Sequence, residues 1–244
     1  MKAIALACET IADEVRLAAQ QTSSRLPLYW VESGMHNYPD KLRKHLQSEI
    51  DRIDNVDYTL LLFGYCGNSL LGLVSHKSRL VIPRVDDCIS LLLGGNERRN
   101  ALNREAMGYF LTRGWLSHEN NLWNEYNYCV KKYGPERTRQ IYHVMLHNYK
   151  KLNVIETGAY NLEALLPLTG EIARELALEH AVVEGTLDLL CRALRGDWDE
   201  QFVIIEPGCE VTLSRLGIID DTEHAQPRLN NLGETACTAS EEAG

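Results

Sequence analysis

No apolar run in this chain approaches the roughly 18 consecutive residues that suggest a membrane span, so a membrane protein built on helices is not expected. Cations are in short supply: 25 Lys and Arg stand against 34 Asp and Glu, a formal net charge of −9. Nucleic-acid binding needs clustered Lys and Arg to meet phosphates, so nucleic acid is not expected as a partner. The seven cysteines form no compact Cys-x-x-Cys pair and no framework spacing. An odd, scattered set suits a reducing compartment better than a disulfide scaffold. Neither a fixed-period repeat nor the Lys-Ser/Thr ending of a P-loop is present. The opening Met1-Lys2-Ala3-Ile4-Ala5-Leu6-Ala7-Cys8 is too short an apolar run for a secretory leader and passes directly into Glu9 and Asp13. It reads as the first strand of a cytoplasmic protein.

What is present is an alternation of short apolar runs with longer amphipathic ones. The apolar runs predict strands at Lys2–Ala7, Leu26–Val31, Thr59–Phe63, Leu80–Pro83, Gly108–Thr112, Val154-Ile155, Ala181–Val183 and Phe202–Ile205. Between them, spacings such as Leu42, Leu46, Ile50 and Ile53 predict helices with one apolar face, this one opened by Pro39. The pattern is that of an α/β fold, a mostly parallel sheet flanked by helices on both faces. A seam near 115–135 would divide five early strands from three late ones, as two Rossmann-like halves facing a cleft. The expected organisation is 1–118 for a first half carrying the site, 119–219 for a helical segment and second half, and 220–244 for a mobile tail.

In an open parallel sheet, ligands bind at the carboxyl ends of the strands. The first strand delivers Cys8 there, the second His36 and Asn37, the third Tyr65-Cys66-Gly67-Asn68, and the fourth Arg84 with Asp86-Asp87-Cys88. Three thiols and an imidazole within reach of one edge are a donor set that zinc favours. Asp86, Asp87 and Asn37 are placed to orient the imidazole or to add hydrogen bonds. The plain alternative for each thiol is packing, because a lone cysteine is usually a small buried hydrophobe. Packing predicts cysteines anywhere along a strand, whereas ligation predicts them at its end. Cys129 and Cys191 fall inside helices and do not share that placing. The stretch Gly64-Tyr65-Cys66-Gly67-Asn68-Ser69 also suits an anion cradle, which makes Tyr65 and Asn68 candidates for substrate contact. Arg84 and Arg113 can each fork a substrate carboxylate or form an ordinary surface ion pair. Glu156 and Glu184, at late strand ends, can serve as general base or anchor if the halves close, or as loop carboxylates. Tyr126, Tyr128, Tyr142 and Tyr149 read most simply as packing residues.

The chain resembles the domain-of-unknown-function family 1638. The resemblance rests on His36-Asn37-Tyr38-Pro39-Asp40-Lys41-Leu42-Arg43, Gly64-Tyr65-Cys66-Gly67-Asn68 and Val81-Ile82-Pro83-Arg84-Val85-Asp86-Asp87-Cys88-Ile89. It continues through Tyr109-Phe110-Leu111-Thr112-Arg113-Gly114-Trp115, Ile155-Glu156-Thr157-Gly158, Gly196-Asp197-Trp198-Asp199 and Pro207-Gly208. The family pattern suggests His where Asp86 stands and Asp where Glu156 stands, and a carboxylate at a ligand position shifts metal preference. The resemblance implies a companion of corrinoid-dependent methyltransferase systems in anaerobic bacteria and archaea. In that setting a zinc-held thiolate is a good methyl acceptor.

The expectation is therefore a metal-dependent enzyme of one-carbon or methyl-transfer metabolism. Cys8, His36, Cys66 and Cys88 would hold zinc, and Arg84 and Glu156 would handle substrate. Its partners would be a small-molecule substrate, a corrinoid protein and, in an oligomer, a second copy. The alternatives are a metal- or corrinoid-handling accessory protein without turnover, and an iron–sulfur protein.

Overall fold

The computed structural model describes residues 2–119 and 121–218; the tail expected at 220–244 lies outside the described residues. All eight expected strands form, and they divide into two sheets. In the first, β1 (Ala3–Cys8), β2 (Leu28–Val31), β3 (Tyr58–Leu62) and β4 (Arg79–Pro83) run parallel in the order β2-β1-β3-β4. Leu60, Leu61, Leu62, Leu80, Val81 and Ile82 are almost wholly buried, as strands covered on both faces require. The covering helices include α1 (Ala12–Gln21), α2 (Pro39–Arg52) and α3 (Cys88–Leu93), with α4 (Asn96–Glu105) lying against α3. In α2, Pro39 sits in the first turn and Leu42, Leu46 and Ile50 are the buried stripe.

The second sheet is β5 (Gly108–Leu111), β6 (Lys151–Glu156) and β7 (Glu179–Glu184), all parallel. With it go α5 (Arg113–Ser117), α6 (Leu122–Tyr133), α7 (Pro135–Met145) and α8 (Leu162–Glu175). Its core is built on Leu152, Val154 and Ile172, with the Tyr126 ring edge-on to Tyr142 at 5.0 Å. The chain then returns. Helix α9 (Asp188–Arg195) packs on α1 and α3, and β8 (Phe202–Ile205) lies antiparallel along β4.

The strands thus divide otherwise than a seam at 115–135 would have them. β5 belongs to the second sheet and β8 to the first, so the second lobe is an excursion from the first. An antiparallel edge strand looks like any other apolar run in the sequence, which is why its return is not legible there. Helix α4 was not expected either: Asn96-Glu97-Arg98-Arg99-Asn100-Ala101-Leu102 carries no apolar stripe and none of the helix is buried. No helix of the described residues is long and apolar enough to cross a membrane.

The lobes meet along one seam. Phe110 and Ile155 of the second sheet pack into the core of the first. Gly114 in α5 lies so close to the chain after β1 that an added Cβ would stand 1.8 Å from the Thr10 carbonyl oxygen. Gly114→Ala should therefore part the lobes and lower stability by about 2 kcal/mol or more, seen as a lowered midpoint in urea unfolding. Beside it, Glu14 of α1 is fully buried, and one carboxyl oxygen accepts from Thr157 Oγ1 at 3.3 Å while the other has no partner. Burial, and then the neighbouring Asp13 charge, raise its pKa from 4.5 to about 7, against the pull of Thr157 and Arg113. A raised carboxyl pKa means that the fold prefers the neutral form, so stability is full below about pH 4.5. It falls as pH rises through about 7, by roughly 3 kcal/mol at most. Glu14→Gln should flatten that slope and make the protein more stable at about pH 8, measured by urea unfolding at several pH values.

Candidate metal centre

The parallel register fixes where the thiols go. Cys8 ends β1 opposite Val31 at the end of β2, and the preceding Ala7 pairs with Leu62 at the end of β3. Three strands therefore stop together. Beyond them, His36 sits in a single tight turn at Met35–Asn37, Cys66 in the loop after β3, and Cys88 at the start of α3. Asp87 caps that helix, its Oδ1 accepting from Ser90 N at 2.9 Å.

Two loops are pressed together to bring Cys66 beside Cys88. Tyr65 N donates to Val85 O at 3.0 Å and Cys66 N to Asp86 O at 2.9 Å. A Cβ on Gly64 would lie 2.1 Å from the Asp87 Cα, so only glycine permits the approach. The loop then turns through Cys66 (φ 44°), Gly67 (φ 66°) and Asn68 (φ 69°), all in the left-handed region. For a cysteine that conformation costs on the order of 1–3 kcal/mol and persists only where surrounding bonds hold it, as these do.

The side chains form a row. Cys8 Sγ donates to Thr10 Oγ1 at 3.2 Å, and Thr10 Oγ1 shares a hydrogen with Ser33 Oγ at 2.9 Å. The Cys8 thiol has its pKa raised well above the usual range, first by its interaction with Cys88 and then by burial, while His36 and Thr10 pull it down. Cys88 is likewise raised, first by Cys66 and then by burial, with Cys8 opposing. His36 thus neighbours Cys8, Cys8 neighbours Cys88, and Cys88 neighbours Cys66. All four face one cavity of about 350 Å³. Among the described residues no group of three or more His, Cys, Asp or Glu side chains is set for coordination as it stands. The fit to a metal rests on donor chemistry: three sulfurs and an imidazole share a pocket, and each metal-bound thiol would surrender its proton.

The opposite wall comes from the second lobe. Tyr109, Phe110, Trp115 and Tyr149 line it, with Tyr109 edge-on to Tyr149 at 5.7 Å. Burial raises the Tyr109 pKa to about 12, so its hydroxyl stays protonated. Arg99 of α4 also reaches the cavity, ion-paired to Asp87 and with its guanidinium 5.9 Å above the Phe110 ring. Arg99 escaped the sequence reading because it lies on a helix without an apolar stripe. Tyr149 was assigned to packing, and the cavity wall is a further role for it. Tyr109 and Phe110 stand at the start and in the middle of β5, short of its carboxyl end, so the strand-end argument does not reach them.

The other expected site residues do not join this group. Arg84 is exposed and its Nη1 donates to Leu216 O at 2.9 Å, while Tyr65 is buried and its hydroxyl donates to the same carbonyl at 3.2 Å. Glu156 accepts from Gly158 N at 2.7 Å, closing its own turn, so it does not face the cavity as a base. Arg113 forks Asp13 within the chain rather than a ligand. Glu184 is exposed, 3.8 Å from Arg98. Asn37 and Asn68 are exposed and do not line the cavity. A strand end tells which edge a residue reaches and leaves open which way its side chain turns.

Of the three thiols, Cys66 is half-buried whereas Cys8 and Cys88 are each 6% exposed. Iodoacetamide should alkylate Cys66 of the metal-free protein on the order of tenfold faster than Cys8 or Cys88, followed by peptide mass spectrometry. Equal rates would mean that the cavity does not give access to one end of the row.

Comparison with curated proteins and with solved structures gives no match. A family model described as "Protein of unknown function (DUF1638)" matches residues 30–194, more than half of the chain and a span that takes in both lobes. The chain belongs to the domain-of-unknown-function family 1638.

Proposed function

We propose that this protein is a zinc-dependent enzyme that acts on a small molecule held between its lobes. Cys8, Cys66 and Cys88, with His36, would be the metal's ligands. The observation that carries the reading is the convergence of these four side chains, from separate strand ends, on one face of a substrate-sized cavity. Four protein ligands would fill a tetrahedral zinc as they do in a structural site, but here the thiols themselves border open space in the cavity. That contrast favours turnover over a non-catalytic metal- or corrinoid-handling role.

Zinc, when bound, would keep sulfur deprotonated at neutral pH and so nucleophilic. The chain's own residues supply the rest. Thr10 takes the hydrogen bond of Cys8 and holds that side chain in place. Asp87 anchors both the start of α3, and with it Cys88, and the Arg99 guanidinium. The aromatic wall reduces the water around the thiols, which strengthens electrostatic interactions in the cavity. A thiolate in such a place is suited to accept an alkyl group: its lone pair forms the sulfur–carbon bond as the carbon–leaving-group bond breaks. The reaction class proposed is methyl transfer in cytoplasmic one-carbon metabolism, with a corrinoid protein as the partner.

The test is metal analysis of anaerobically purified protein beside Cys66→Ser, Cys88→Ser and Cys129→Ser. Wild type and Cys129→Ser should carry zinc in equal amount and be colourless. Each of the other two should lose at least about tenfold in zinc affinity. Full metal content in Cys66→Ser would refute the ligand set. A brown protein with visible absorbance would replace zinc by an iron–sulfur cluster.

A further inference from the structure

The wall of the cavity opposite the thiols has a chemistry of its own. Four aromatic side chains face it from the second lobe, Tyr109, Phe110, Trp115 and Tyr149. Aromatic faces carry negative charge density and attract cations within about 6 Å of the ring centre. At this cavity the fold already uses this property, setting the Arg99 guanidinium 5.9 Å from the Phe110 centroid.

The charges on the rim point the same way. Arg99 is neutralised by Asp87, so it brings no net positive charge to a ligand. Glu32 and Asp86 remain. Both are exposed at the cavity. Asp86 meets only the neutral amide of Asn96, at 3.0 Å, and Glu32 has no hydrogen-bond or ion-pair partner among the described residues. Two uncompensated carboxylates beside an aromatic wall repel an anion and attract a cation.

We propose that the cavity receives a small organic cation of the onium type, a quaternary ammonium or sulfonium group, seated against Trp115 and Tyr149 with Glu32 and Asp86 as counter-charges. An onium has no N–H or S–H to satisfy and presents alkyl groups to the rings, which suits a wall with more aromatic surface than acceptors. The inference deepens the proposed function by naming a substrate class, and it rests on the cavity being that enzyme's substrate site. It does not require the metal for binding.

The test is calorimetric titration of the full chain with choline and with its neutral isostere, 3,3-dimethylbutan-1-ol. Choline should bind about tenfold more tightly. Glu32→Gln should weaken choline binding about threefold and leave the isostere unaffected. Tyr149→Leu should weaken choline more than the isostere, and Trp115→Phe should retain most of the preference, because the ring face remains. Equal binding of the two ligands would overturn the proposal, as would tighter binding of butyrate, which would make Arg99 an anion receptor. So would choline affinity unchanged in both Glu32→Gln and Tyr149→Leu, whose exposed or half-buried positions make loss of folding a poor explanation. Zinc measured on the same sample separates the two readings. Choline binding by zinc-free protein upholds the cation site and removes the metal. Zinc at full occupancy with no preference for choline removes the cation site alone.

Discussion

The contact on which the site depends is the one between the loops that follow β3 and β4. Gly64 has no side chain, and its missing Cβ leaves the Asp87 backbone room to pass at a distance that any other residue would forbid. Two backbone hydrogen bonds lock the loops at that spacing, Tyr65 to Val85 and Cys66 to Asp86. With the loops locked, Cys66 is held in a conformation that cysteine avoids, and Cys88 starts a helix pinned by its Asp87 cap. Cys8 then needs nothing special, because the parallel register already ends β1 beside them. Packing and backbone geometry are spent here on bringing three sulfurs together, which packing alone has no reason to do.

The two lobes contribute differently. The first supplies sulfur, imidazole and carboxylates at the ends of a sheet that is buried on both faces. The second supplies rings. What ties them is the packing of Phe110 and Ile155 into the first core, a glycine against a carbonyl, an Arg113–Asp13 pair, and a buried glutamate with one oxygen unpartnered. A seam with a carboxyl of that kind is stronger in acid than at neutral pH, the reverse of the usual case in which paired carboxylates are lost on acidification.

Much of this was legible in the residues. The eight strands, the α2 stripe and the gathering of Cys8, His36, Cys66 and Cys88 at one edge all follow from short apolar runs that end in polar residues. Arg84, Glu156, Arg113 and Glu184 sit at strand ends too, and the same rule nominated them. It failed there because each finds a partner within the chain: the Leu216 carbonyl, the Gly158 amide, Asp13, and Arg98. Sequence position does not encode that competition. The aromatic wall was missed for a different reason. Tyr149 precedes β6 and looks like one more packing tyrosine until β5 and β6 are known to form a separate sheet whose edge faces the thiols.

Because β8 and α9 return to the first lobe, everything from β5 to β7 is a loop of chain that leaves one body and comes back to it. The rings that would meet a ligand are therefore carried on a different body from the sulfur row, while the carboxylates of Glu32 and Asp86 stay with the sulfurs. Selection can redraw the rings of the excursion without disturbing the sulfur row, and so retune what is accepted while conserving what is done to it. In such an architecture a shared reaction with diverging substrates is the expected path of descent.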